Sequence, residues 1–268
     1  MTWVCARPRA PAAAGTFYPR SAKTLSQTVG ALLSSVKVEE RLYPCGVIAP
    51  HAGYAYSGLV AAHAFASLRQ LHGRIKRAII IGPAHFVPFA GISAPADTAF
   101  ATPLGDVPVD VATVEALNEE RLVGIDDKPH APEHAIEVEL PFLQSILTDL
   151  PIVPLLCGST TAEAVAAVIA RIWSYDTLLI VSSDLSHFES YHMARAHDER
   201  TAVAIEAYDD GAIGPPDACG HVAIRGALRE AVRRGLMVTR LALNNSGDTA
   251  GDRRSVVGYG AWAFHTRR

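Results

Sequence analysis

Three short apolar runs are each followed by a histidine. His51 stands in PHAGYAYSG after GVIAP, His85 in GPAH after RAIIIG, and Asp184 and His187 in DLSH after TLLIVS. Runs this short, without polar alternation, suit strands buried on both faces of a parallel sheet. The carboxyl ends of parallel strands point the same way, so loops distant in sequence can bring their side chains together there. Imidazole is a common metal ligand and a general acid or base near neutral pH. A lone loop histidine more often caps a helix or packs on an aromatic ring. Three at equivalent positions favour a shared site.

Two further segments can join it. Glu133 and His134 open the stretch AIEVELPFLQSIL, with Pro132 just before them. A carboxylate in a first helical turn is favourable by a few tenths of a kcal/mol, which is a structural reason for Glu133. A cationic imidazole there is disfavoured, so His134 is expected to be neutral and free to hydrogen-bond. Cys219 precedes a helix expected from Val222 onward. A thiol at a helix N-terminus has its thiolate stabilised, and a metal would deprotonate it outright. Cys5, Cys45 and Cys157 read as small buried hydrophobes, and His63, His72, His192, His197 and His265 as structural.

The elements that must position these residues alternate along the chain. Strands are expected at 46–50, 77–82, 152–156 and 177–182, with two late ones at 238–243 and 256–264 joined by NNSGDTAGDRR, a loop rich in turn residues. Helices are expected at 57–71, 110–120, 134–147, 161–173, 192–208 and 221–235, the last stopping at a glycine. This pattern predicts an α/β sandwich, a largely parallel central sheet flanked by helices, folded as a single domain over residues 1–268.

Composition narrows the class. The 268 residues are 49% hydrophobic and 19% charged, so the chain can bury a large core and is not disordered. A net charge of −3 with no basic block predicts no nucleic-acid partner. No stretch reaches the roughly 18 apolar residues of a spanning helix, and no apolar segment follows Arg7 and Arg9, so neither membrane nor export is expected. Four cysteines far apart, without a C-x-x-C pair, suit a reducing cytoplasmic setting. A phosphate-binding glycine loop, a dinucleotide fingerprint, a nucleophile elbow and an H-E-x-x-H helix are all missing. Ser182, Ser183 and Ser186 lie near Asp184 and His187, but without an elbow they make a poor hydrolytic triad.

At these residues the sequence resembles the Memo-like family, protein B of the AmmeMemoRadiSam system. The likeness runs in order along nearly the whole chain: AGTFYP at 14–19, PHAGYAYSG at 50–58, IGPAH at 81–85, TPLG at 102–105, EHAIEVELPFLQ at 133–144, SSDLSH at 182–187, ACG at 218–220 and SGD at 246–248. The resemblance implies a fold similar to class III extradiol dioxygenases, with His51, His85 and Cys219 as the metal-site residues. It implies that His187 matches the acid/base histidine of those enzymes, with Asp184 beside it. It also implies peptide binding through aromatics at Phe17 and Tyr56.

Two imidazoles and a carboxylate leave open faces on Fe(II), the arrangement oxygenases use; a thiolate in the carboxylate's place is softer and also admits Cu(I) or Zn(II). The leading expectation is therefore a metal-dependent oxidoreductase with one metal ion, iron or copper, with zinc also admitted. His187 would be the base, oriented by Asp184, and His134 would hydrogen-bond a small-molecule or peptide substrate. The alternative is a non-catalytic metal- or peptide-binding protein that partners a radical-SAM enzyme, as the system's name suggests. Metal-assisted hydrolysis is a weaker third reading.

Overall fold

In the computed structural model, which describes residues 8–37 and 42–266, the elements follow one another as β1 (Pro8–Arg9), α1 (Ala22–Ser35), β2 (Pro44–Ala49), α2 (Tyr54–Ala66), β3 (Arg77–Pro83), β4 (Ile92–Ala94), β5 (Ala99–Thr102) and β6 (Gly105–Pro108). Next come α3 (Val111–Glu119), β7 (Gly124–Ile125), α4 (Asp127–His130), α5 (Leu140–Ile146), β8 (Ile152–Cys157), α6 (Ala162–Ile172) and β9 (Thr177–Ser182). Last are β10 (His187–Glu189), α7 (Tyr191–Glu206), α8 (His221–Arg234), β11 (Leu236–Asn245) and β12 (Val256–Thr266). Cys5 lies outside the described residues.

The four strands expected to surround the site lie side by side. β2, β9, β3 and β8 are parallel in that order, with Ala49 opposite Ser182 and Ile81 opposite Val181. β3, β8 and β9 are buried almost throughout, so helices cover both of their faces. Outside this centre most pairings are antiparallel: β12 runs against β2, β11 and β10 run against β12, and β4 runs against β8, while β7 at the far edge is parallel to β4. The fold is thus α/β with a mixed sheet, not a largely parallel one. A loop suffices to return β11 into an antiparallel β12, whereas a parallel neighbour needs a crossover. A second, three-stranded sheet has the order β1-β5-β6.

Helix packing follows the apolar stripes. α1 buries Leu25, Val29 and Leu33, spaced four apart, and packs with α2 and α5. α6 pairs with α8, and α7 lies on β11 and β12. α8 closes with Gly235 in the left-handed region at φ 64°, where a side chain would be strained. One expectation fails here: no helix begins at His134. That stretch holds a 3-10 turn at Glu137–Glu139 and then α5. The backbone N–H groups of His134 and Ala135 are taken by the Glu133 carboxylate, and Glu133, Glu137 and Glu139 are all buried in polar contacts.

Candidate metal centre

The order β2-β9-β3 sets the site. Because β9 lies between the other two, the loops leaving β2, β9 and β3 are neighbours at one edge of the sheet. His51 follows β2, Asp184 follows β9 and His85 follows β3. Among the described residues, His51, His85 and His134 form a group whose ligand atoms all lie within 4.8 Å of one another. Their rings are 4.8–5.4 Å apart, with His85 stacked on His134 and His51 edge-on to both.

Each ring is held from behind. His51 is 1% exposed, and its Nδ1 lies 2.7 Å from Ser182 Oγ. Its backbone N–H donates to Asp184 Oδ1 at 2.9 Å. His85 lies with Nδ1 2.9 Å from Glu133 Oε1 and donates its backbone N–H to Oε2 at 2.6 Å. With both Nδ1 atoms engaged, His51 and His85 turn Nε2 toward the site. Burial, then the neighbouring imidazoles of His85 and His134, push the His51 pKa well below its ordinary value. His51 is therefore a neutral ring with a lone pair to give, which a metal requires.

Glu133 is the residue that sequence reasoning underrated. It is 2% exposed, accepts the backbone N–H groups of His85, His134 and Ala135, and lies 3.2 Å from His134 Nδ1. Burial alone would raise its pKa; the contacts from His134 and His85 outweigh that and hold it well below the carboxylate range. The signal was its place next to His134, which the helix-dipole reading explained away.

Cys219 reaches the group from the turn just before α8. Its Sγ is 3.4 Å from Nε2 of His51 and 3.7 Å from the Asp184 carbonyl oxygen. The approach depends on Gly220, where a methyl would sit 2.7 Å from Ser183 Cβ. Burial and the Asp184 carboxylate push the thiol up to about 12, so the expected helix-end stabilisation of a thiolate is overridden. A bound metal reverses that, since a coordinating thiol loses its proton.

The donors fit a metal. In a tetrahedral site with metal–nitrogen near 2.0 Å and metal–sulfur near 2.3 Å, two such donors lie about 3.5 Å apart, close to the separation of His51 Nε2 and Cys219 Sγ. Imidazole nitrogens and a soft sulfur suit iron, copper or zinc.

His187 and Asp184 take different positions from those expected. Asp184 spends its carboxylate on the backbone N–H groups of His51 and Ala52, at 2.9 and 3.3 Å, and burial lifts it to about 7. His187 is oriented instead by the Leu185 carbonyl, which accepts from Nδ1 at 2.7 Å. Burial, with a lesser contribution from nearby His85, lowers the His187 pKa. It is a neutral base at the margin of the group, with Nε2 free of that bond.

Phe17 lies against His134, ring centroids 4.2 Å apart, and Phe86 approaches the same ring at 5.7 Å. Tyr56, in the first turn of α2, is an exposed aromatic separated from Phe17 by Gly53, where a methyl would touch both residues at 3.7 Å. A recess of about 280 Å³, lined by Pro83, Val87, Phe89, Val222 and others, has Cys219 in its wall. The larger cavity of about 620 Å³ lies on α7 and β11 and contains none of the histidine group. No helix of the described residues is long and apolar enough to cross a membrane.

A sequence model described as Memo-like protein matches residues 9–263. A MEMO1 family protein of Methanothermobacter thermautotrophicus is 36% identical, covering 94% of this chain and 98% of its own. One from Metallosphaera sedula is 33% identical, covering 96% and 99%. The solved structure of protein JW3007 from Escherichia coli K12 has a similar fold, with a TM-score of 0.53 at 14% identity, over 80% of this chain and 98% of that one.

Proposed function

Because this chain belongs to the Memo-like family, we propose that it holds one transition-metal ion, iron or copper, with His51, His85 and Cys219 as ligands, and acts as an oxidoreductase on a small-molecule or peptide substrate in the cytoplasm. The observation that carries the reading is the convergence of His51, His85 and His134 within 4.8 Å, with the Cys219 thiol 3.4 Å from His51. A likeness to class III extradiol dioxygenases fits loops at the carboxyl ends of β2, β3 and β9 converging on histidines.

Such a metal, when bound, supplies Lewis acidity and one-electron chemistry. The chain's own residues do the rest. Glu133 and Ser182 fix the His85 and His51 rings. His134, walled by Phe17 and Phe86, faces the open side and donates or accepts a hydrogen bond to the substrate. His187, neutral at pH 7, takes a proton on its free nitrogen. Phe17 and Tyr56 offer an apolar approach for a substrate side chain.

The second reading, a binding protein that partners a radical-SAM enzyme, draws on the number of donors. If His134 and Cys219 both ligate, four protein groups close the site, and closed sites hold metals rather than react at them. Elemental analysis of anaerobically purified protein, beside Cys219→Ser and His134→Ala, tests both. Near-stoichiometric iron or copper, lost in Cys219→Ser and kept in His134→Ala, supports the open site. Loss in both variants supports the closed one, and no metal in any sample after reconstitution rejects the metal reading.

A further inference from the structure

Behind His51, three groups surround one hydroxyl. Ser182 Oγ lies 2.6 Å from the Ala135 carbonyl oxygen, 2.9 Å from Glu139 Oε1 and 2.7 Å from His51 Nδ1. All four residues are buried. A serine hydroxyl has one proton and two lone pairs. The Ala135 carbonyl has no proton, so oxygens at that separation need the Ser182 proton between them. The other two partners must then bring protons of their own. Glu139 is consequently a neutral acid donating to Ser182, and His51 carries its proton on Nδ1. The other carboxyl oxygen of Glu139, Oε2, has no partner among the described residues, which a neutral acid tolerates far better than a carboxylate.

We propose that Ser182 and Glu139 are positioning residues for His51: Glu139, as a neutral acid, donates to Ser182 and holds its hydroxyl, and Ser182 accepts from Nδ1–H of His51, so that the Nε2 lone pair faces the metal site. Its consequence for metal affinity rests on the metal reading above; the tautomer and the protonated acid do not. Burial raises the Glu139 pKa well above the usual carboxylate range, in keeping with the proton count.

The test uses metal-free and zinc-titrated full-length protein, with Ser182→Ala and Glu139→Gln. Gln keeps a donor toward Ser182 at nearly the same volume; Ala removes the acceptor of His51. Imidazole nitrogen NMR of the metal-free wild type is expected to show His51 protonated on Nδ1. Ser182→Ala shifts it toward the other tautomer and weakens zinc binding roughly 10–100-fold, while Glu139→Gln leaves both unchanged. Infrared spectra at about pH 9, above the ordinary carboxyl range, are expected to show a protonated carboxyl that Glu139→Gln removes. A His51 proton on Nε2, no such carboxyl, or a Glu139→Gln variant that behaves as Ser182→Ala overturns the proposal. Expected tautomer and carboxyl signals in a protein that binds no zinc, iron or copper leave the positioning intact and reject the metal reading instead.

Discussion

Arg9 and Glu137 form an ion pair at 2.6 Å with both side chains almost wholly buried. The guanidinium also donates to the carbonyl oxygens of His130 and Glu133, and the carboxylate accepts the backbone N–H groups of Ala12 and Ala13 and the Tyr18 hydroxyl. One pair thus fastens the segment carrying Phe17 to the segment carrying Glu133 and His134. Removing one partner strands the other charge in the interior, so Glu137→Ala is expected to lower stability by about 3–5 kcal/mol. Urea unfolding followed by circular dichroism measures this, and a loss below 1 kcal/mol would show that the segments are held by something else.

Glu133 should matter to the metal more than to the fold. Glu133→Gln keeps the shape but removes the charge and one of two equivalent acceptors behind His85 and His134. Affinity for zinc, measured by calorimetry, is expected to fall roughly 10–100-fold. Unchanged affinity would mean that His85 does not need the carboxylate to present Nε2.

Cys219 offers a proton count. Without metal its thiol, pushed up to about 12, is protonated at neutral pH. Ligation therefore releases that proton, and zinc added at about pH 7 in weak buffer should liberate one more proton from wild type than from Cys219→Ser. Equal release from the two proteins would place the thiol outside the metal's coordination.

His197 sets a pH dependence away from the site. Burial lowers its pKa, but hydrogen bonds and charge from Glu189 and Asp217, at 2.9 and 2.7 Å, outweigh that and raise it. A histidine raised in the folded state stabilises fully below its unfolded value of about 6.5 and loses that contribution as pH rises through the folded value. Urea midpoints across this range should fall more steeply with pH in wild type than in His197→Gln. Parallel slopes would count against a charged His197 in the folded protein.

Much of the scaffold was legible because its signals are local. The runs before His51, His85 and Asp184 are short, with apolar centres and no polar alternation, and they form β2, β3 and β9. What could not be read is what depends on contacts across the chain. The helix expected from His134 is absent because Glu133 takes the backbone N–H groups there, a use of a carboxylate that helical periodicity does not record. His134 was expected to face the substrate; that it sits within ligand distance of His51 and His85 follows from the same turn. Asp184 was assigned to His187 by sequence proximity, yet it holds the His51 loop, 133 positions away. α1, the small β1-β5-β6 sheet and the short strands β4, β7 and β10 left too little pattern to place.

The position of β9 also bears on how the protein is made. β2 and β3 are synthesised early, yet they do not pair with each other; the gap between them is filled by a strand that leaves the ribosome roughly a hundred residues later. Such distant parallel pairing is slow, because the long loop must be closed before any contact rewards it. Until β9 inserts, His51 and His85 stand on strands with exposed apolar edges, and Ser182 and Asp184 are not yet behind them. A nascent chain therefore has no preformed place for a metal, and its open seam leaves unpaired strand edges exposed until β9 arrives.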